Sequence, residues 1–205
     1  MKKQTLLTLG LITLLASATQ ASQQQLAASI KEARIEASNA STQLKTTLDA
    51  LTALSKQTKG DLSPAYNTFA AEVPKTEAAA AWTRTRVQWM ATDGQKYFTD
   101  WQKTVDGVAN VSLRKKAQKR LAASQKSYDK VGVSLKQAAE KFQPFLSDLA
   151  DIQTVLSKDI TAGGVKAVKG TVGDANWRYK FVSSEINDAV KEMKKMEKSL
   201  STEAQ

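Results

Sequence analysis

The chain has no histidine and no cysteine among its 205 residues. Without histidine it lacks the commonest general base and most zinc and haem ligand sets. A di-iron bundle of ferritin type, which needs Glu-x-x-His pairs, is excluded on the same ground. Without cysteine there is no thiolate nucleophile, no disulfide staple and no attachment point for a lipoprotein's lipid. The fold must be held by packing alone. Carboxylates, Lys, Ser and Tyr remain as possible catalytic groups. The acidic residues do not gather at inward-facing positions, where paired general acids would have to sit. The stretch Gly163–Thr171 (GGVKAVKGT) lacks the Gly-Lys-Thr order of a phosphate loop and follows no strand, so it reads as a glycine-rich helix start. No catalytic residue, cofactor or metal is expected, and the chain does not read as an enzyme.

Long apolar runs are also missing, with one exception. Leu6–Leu15 is a ten-residue apolar run behind Lys2 and Lys3, followed by Ala16-Ser17-Ala18 and Thr19-Gln20-Ala21. A membrane span needs roughly 20 apolar residues, so this is the pattern of a cleavable export signal over residues 1–21, cut after Ala18 or Ala21. A short amphipathic helix does not fit, because the run has no polar face. The expected mature chain, 22–205, is a single domain without a transmembrane segment, periplasmic or secreted. It is not a lipoprotein, for want of a cysteine.

Acidic charge is in short supply. Lys and Arg number 30 against 20 Asp and Glu, a net charge of +10. Removing Lys2 and Lys3 leaves 28 against 20, a net charge of +8. An exported basic protein meets phospholipid headgroups, lipopolysaccharide, wall polymers and acidic proteins. Nucleic acid is not an expected partner, since no nucleic-acid-binding motif is present.

What the chain does have is hydrophobic periodicity. Residues 22–59 hold neither glycine nor proline, and Leu26, Ile30, Ala33, Ala37, Ala40, Leu44, Thr47, Leu51 and Leu54 alternate by four and three. That spacing predicts one helix, stopped at Gly60. Ser63 and Pro64 suit a helix start, giving a short helix through Ala71, and Pro74 suggests a second, long helix running toward Val108. Ala117 to Leu156 keep a heptad register that passes Pro144 unshifted, as in a kinked continuous helix or two stacked helices. Val165, Val168, Val172, Ala175, Tyr179, Val182, Ile186, Ala189, Met193, Met196 and Leu200 carry the last helix. Gly170 and Gly173 near its start suggest fraying or a close helix crossing. The expected fold is all-α, an elongated antiparallel bundle of four long helices with a short one inserted. The same heptads could also join copies of the chain in a homo-oligomer.

Two local features stand out. Arg114, Lys115, Lys116, Lys119 and Arg120 place five cations in seven residues at a helix start, where they oppose the macrodipole and repel one another at i,i+4. This is the candidate anion-binding surface. The cost is offset if the cluster meets an anionic surface, if Asp100 or Asp106 lies across the turn, or if the two helices run on unbroken. Otherwise it is a solvated face. Lys191, Lys194, Lys195 and Lys198 lie near a helix C-terminus, where cations are favoured, and need no function. Trp82, Trp89, Tyr97, Phe98 and Trp101 crowd one helix, and their spacing reads as core or a helix–helix seam.

The segment from Tyr97 onward, with Phe98-x-x-Trp101, Ser112-Leu113-Arg114-Lys115 and Tyr128-Asp129, resembles a bacterial family of exported helical proteins, domain of unknown function 2959. The resemblance extends from about Glu32 to Leu200. It implies a helical coiled-coil fold and brings no activity or site residues. The expected function is non-enzymatic binding of an anionic envelope component or another envelope protein, with a holdase-type chaperone as the alternative. The leader makes the first prediction. Mass analysis of the exported product should find a chain beginning at Thr19 or Ser22, and an exported product retaining Met1 would overturn it.

Overall fold

The computed structural model describes the backbone of residues 3–203 and the side chains of residues 19–201. The expected leader, residues 1–21, therefore lies outside the described side chains apart from its last three. The described chain is four α-helices and no strand, an all-α helical bundle: α1 (Lys3–Lys56), α2 (Ser63–Asp106), α3 (Val111–Leu156) and α4 (Ala162–Glu203). All nine seam residues of α1, from Leu26 to Leu54, are buried. In α4 every expected seam position is buried except Tyr179, which is half-buried.

The helices pack as two compact units, each drawing a segment from all four. The first comprises Met1–Arg34, Thr85–Gly132 and Glu192–Gln205. Within it Thr19 Oγ1 meets Thr104 Oγ1 at 2.8 Å, Ser29 donates to Asp93, and Arg86 pairs with Glu32 at 2.7 Å. Rising numbers on α1 thus match falling numbers on α2, an antiparallel pair. Gln23 donates to the Leu200 carbonyl at 2.7 Å and Arg34 pairs with Glu197 at 2.9 Å, which ties α4 to α1. Leu26, Ile30, Tyr97, Val131 and Met193 fill the centre.

The second unit comprises Ile35–Arg84 and Val133–Lys191. Its core is built on Leu44, Leu51, Phe69, Phe145, Leu149 and Ile152, all fully buried. Burying each such side chain stabilises by about 1.5–3 kcal/mol relative to exposure. Thr47 and Thr76 are buried polar residues that satisfy each other at 2.7 Å, so this seam position carries a hydroxyl without an orphaned group. Arg178 of α4 pairs with Asp148 of α3 at 2.8 Å.

The region of Pro74 departs from the sequence expectation. There is no separate short helix: α2 runs unbroken from Ser63 to Asp106 with Pro74 inside it. It also begins without Ser63 as its cap. The Asp61 carboxylate accepts the Ser63 N–H at 2.9 Å, and the first helical bond runs from Tyr66 N to the Leu62 carbonyl. A proline within a helix leaves the carbonyl four residues back without its donor. Here that carbonyl is Ala70, and Gln153 Nε2 of α3 donates to it at 3.4 Å. Pro144 likewise sits inside a continuous α3, at an exposed position.

Two glycine readings also change. Gly60 does not stop α1, which ends at Lys56; it lies in the following connection, at φ 80°, in the left-handed region that glycine adopts freely. Gly170 and Gly173 mark neither fraying nor a close crossing: both are helical, and a Cβ there would meet nothing within 4 Å. The close approach is at Gly164, in the first turn of α4, where a Cβ would run into the Asp159 carbonyl.

The Ala70–Gln153 contact gives a test of how α2 tolerates its proline. Gln153→Ala should destabilise the protein by about 1 kcal/mol, the usual worth of such a bond. With Pro74→Ala also present, the helix supplies its own N–H and the penalty of Gln153→Ala should shrink. Urea denaturation of the two single variants and the double variant measures this coupling. Strictly additive effects would exclude it.

Candidate functional site

The expected anion-binding cluster lies at the start of α3, in the first unit. Residues 107–110 break the chain between α2 and α3. The last turn of α2 closes through Gly107 N to Lys103 O at 3.2 Å and Val108 N to Val105 O at 3.1 Å. Asn110 then caps α3: its Oδ1 accepts the Leu113 N–H at 3.0 Å, and its carbonyl accepts the Arg114 N–H at 2.9 Å. This fixes where the helix starts, and so which way its first two turns face.

The five cluster residues do not play one part. Arg114 is half-buried and turns back, its Nη1 donating to the Val108 carbonyl at 3.4 Å, so it braces the turn. Lys115, Lys116, Lys119 and Arg120 are exposed. Neither internal offset is made. Asp100 pairs with Lys96 at 2.6 Å, which holds its carboxyl below the usual range, and Asp106 accepts from Gln102 at 2.7 Å. The helices do not run on through the turn. Residues 111–128 contain six basic side chains and no acidic one. Among the described residues no carboxylate lies within ion-pair distance of Lys115, Lys116 or Lys119.

Two residues beside the cluster belong to the surface and were not singled out from the sequence. Val111 is 56% exposed and Leu113 57% exposed. At about 100° per residue, Lys115, Lys119, Lys116 and Arg120 fill the arc of α3 between Val111 on one side and Leu113 on the other. Buried Leu121 faces the opposite way, into the unit. The only available sequence signal was that Val111 and Leu113 precede the Ala117–Leu121 register and do not belong to it.

The aromatic cluster divides. Tyr97 and Phe98 are buried with ring centroids 5.0 Å apart, and Trp101 is half-buried at 5.5 Å from Tyr97. Trp82 and Trp89, expected in core or seam, are instead 58% and 51% exposed. Trp89 sits one residue before buried Met90 and so about 100° around the helix from the packed face, and the seven-residue step places Trp82 on the same stripe. The Arg86 guanidinium lies over the Trp89 ring at 4.7 Å, a cation–π contact at the surface. In the second unit Trp177 and Phe181 form an exposed pair 4.5 Å apart, off the α4 seam.

An open groove of about 560 Å³ runs between α2 and α3 within the first unit, lined by residues that include Gly94, Phe98, Lys103, Leu121, Tyr128 and Asp129. Its wall depends on Gly94: a Cβ there would collide with the Tyr128 ring and hydroxyl. The glycine lets Tyr128 cross to α2 and donate to the Met90 carbonyl at 2.9 Å. Burial, reinforced by the charges of Asp129 and Asp93, pushes the Tyr128 phenol up to about 12. Among the described residues no three acidic side chains gather as a metal site would require, and no helix is long and apolar enough to cross a membrane.

Comparison with known proteins gives one family. The family described as "Protein of unknown function (DUF2959)" matches residues 17–201. No curated protein and no solved structure gives a significant match.

Tyr128 provides a pH test of the α2–α3 contact. The unfolded phenol loses its proton near pH 10, whereas the folded one keeps it to about 12. Between those values the folded state binds more protons, so stability should fall as pH rises from 10 toward 12. Absorbance titration should show a tyrosine ionising near 12 that disappears in Tyr128→Phe. An unchanged titration in that variant would contradict the assignment.

Proposed function

The chain belongs to the DUF2959 family of proteins of unknown function, and from that premise we propose that it is an exported, non-enzymatic helical bundle that binds an anionic envelope component. The binding surface is the exposed face at the start of α3, carried by Lys115, Lys116, Lys119 and Arg120 and oriented by the Asn110 cap and Arg114. One observation carries the reading. Lys115, Lys116 and Lys119 crowd one exposed stretch of α3, with Lys115 and Lys119 repelling each other at i,i+4, and neither Asp100 nor Asp106 is directed to them. An anionic surface outside the protein offsets that repulsion. Export, which the leader pattern supports, determines which anions are met: headgroup phosphates, lipopolysaccharide, wall polymers, or an acidic face of another envelope protein.

The holdase reading draws on a different surface. The heptad seams are closed, so unfolded clients would have to dock on exposed aromatics such as Trp177 and Phe181. That pair lies away from the α3 start in sequence and in a different unit, which makes the two readings separable by substitution.

Binding of the mature protein to lipopolysaccharide, anionic vesicles and a polyanionic wall polymer should be measured at low and high salt. A variant carrying Glu at Lys115, Lys116 and Lys119 serves as the comparison. A cation beside an anionic membrane contributes about 1 kcal/mol, so the triple substitution should weaken binding on the order of a hundredfold, and salt should weaken it in the parent. Absence of binding to every anionic partner would exclude the proposal. Suppression of client aggregation that is lost in Trp177→Ser/Phe181→Ser and unaffected by the Glu variant would establish the holdase instead.

A further inference from the structure

We infer that the anionic partner is a phospholipid bilayer, and that the α2–α3 tip inserts Val111 and Leu113 among the headgroups while the lysines of the first turns of α3 lie along the surface. This inference rests on the proposed anion-binding function and names its target.

The argument begins with the two apolar side chains. Val111 and Leu113 occupy the first turn of α3 and are 56% and 57% exposed. A soluble anion, a wall polymer or an acidic protein face would be met by the cations alone and gives no reason for two apolar side chains to stand beside them. A bilayer interface does. Interfacial segments combine an apolar contact that dips below the headgroups with Lys and Arg at the level of the phosphates. The arrangement around α3 has that form. Val111 and Leu113 stand at the tip, next to a turn whose residues Ala109 and Asn110 are uncharged and exposed. Lys115, Lys116, Lys119 and Arg120 follow within two turns, on the arc between them. The four cations begin only about 3 Å farther along the axis than Leu113, at 1.5 Å per residue, so anions and hydrocarbon would be reached together.

The complementarity extends to what is missing. No acidic side chain occurs from residue 111 to residue 128, so nothing on this segment repels an anionic leaflet. Asp106, the nearest acid on the α2 side, is engaged by Gln102 at 2.7 Å. The contact is small, two apolar side chains and the three lysines. Attachment should therefore be reversible and depend on both components, since neither a few apolar groups nor a basic patch alone anchors firmly. No spanning helix is needed.

The absence of native cysteine makes the test direct. A cysteine at Leu113 carries an environment-sensitive fluorophore, and a second sample carries it at exposed Ser127, 14 residues later and about 21 Å farther along α3. Both are mixed with phosphatidylglycerol-containing vesicles and with phosphatidylcholine vesicles. The label at position 113 should shift to the blue and be quenched by lipids brominated in the acyl chain, with the anionic vesicles only, and the label at Ser127 should do neither. In parallel, Val111→Ser/Leu113→Ser should lose about tenfold or more of the binding that persists at high salt, while keeping the salt-sensitive attraction. Anionic-vesicle binding abolished by Glu at Lys115, Lys116 and Lys119, with an unshifted label and an unaffected serine variant, would overturn insertion and leave the anion-binding function standing. Binding to lipopolysaccharide or wall polymer with none to anionic vesicles would overturn the bilayer as target. Failure to bind any anionic surface would remove both.

Discussion

Closure of the heptad seams is the constraint on which everything else in this protein rests. No disulfide staple is available, and no metal site built on histidine or cysteine, because neither residue occurs in the chain. Each helix exceeds 40 residues, and in a protein most helical stability comes from packing an amphipathic face. Stability must come from removing the apolar stripe of each helix from solvent. Leu26, Ile30, Leu44, Leu51, Leu149, Ile152 and Met193 show how completely this is done, each with essentially no exposed surface. At the polar seam position Thr47, Thr76 on the facing helix completes the hydrogen bonding.

Three irregularities of the packed helices have an identifiable compensation. Pro74 removes a helical hydrogen bond, and a glutamine from α3 takes over the exposed carbonyl. Gly94 weakens α2 by about 1 kcal/mol relative to alanine, and in exchange Tyr128 crosses to bond the α2 backbone at Met90. Gly164 permits the turn before α4 to fold against the first turn of that helix. In each case a local propensity is overridden by a contact that the residue's own helix does not provide. Single-helix reasoning cannot supply those contacts, so these are the places where local reading and packing part.

The legibility of the fold follows the same line. The seams of α1 and α4 could be read residue by residue, since a 3.5-residue apolar repeat has one stable solution. α2 could not. Its proline argued for a break, and only Gln153, far along the chain on α3, removes the argument. The aromatics were half legible. Tyr97 and Phe98 follow the packed face, whereas Trp82 and Trp89 lie one helical position off it, a difference of about 100° that composition hides. At the candidate site the charges were plain in the sequence. Their division of labour was not, because the inward turn of Arg114 depends on a carbonyl exposed by the α2–α3 break. The role of Val111 and Leu113 was hidden for a related reason: an apolar residue at a helix start reads as ordinary until its exposure is known.

These features also bear on how such a molecule could bind a partner at its surface. A closed bundle has little freedom to rearrange around a ligand, so recognition has to occur on side chains that the core does not use. The start of α3 meets that condition. Asn110 and Arg114 fix the first turn using backbone groups of the same short connection, and the core takes over only at Leu121. Lys115, Lys116 and Lys119 between them are held in a defined helical array and stay exposed. Their charge pattern is unfavourable to the isolated helix by the sum of the macrodipole and two i,i+4 repulsions, Lys115 with Lys119 and Lys116 with Arg120, each worth a few tenths of a kcal/mol. A cost of that size is easily borne by a bundle stabilised elsewhere, and it is reversed on contact with negative charge. The seam thus makes possible a surface that would be poor for an isolated helix and suits a binding face.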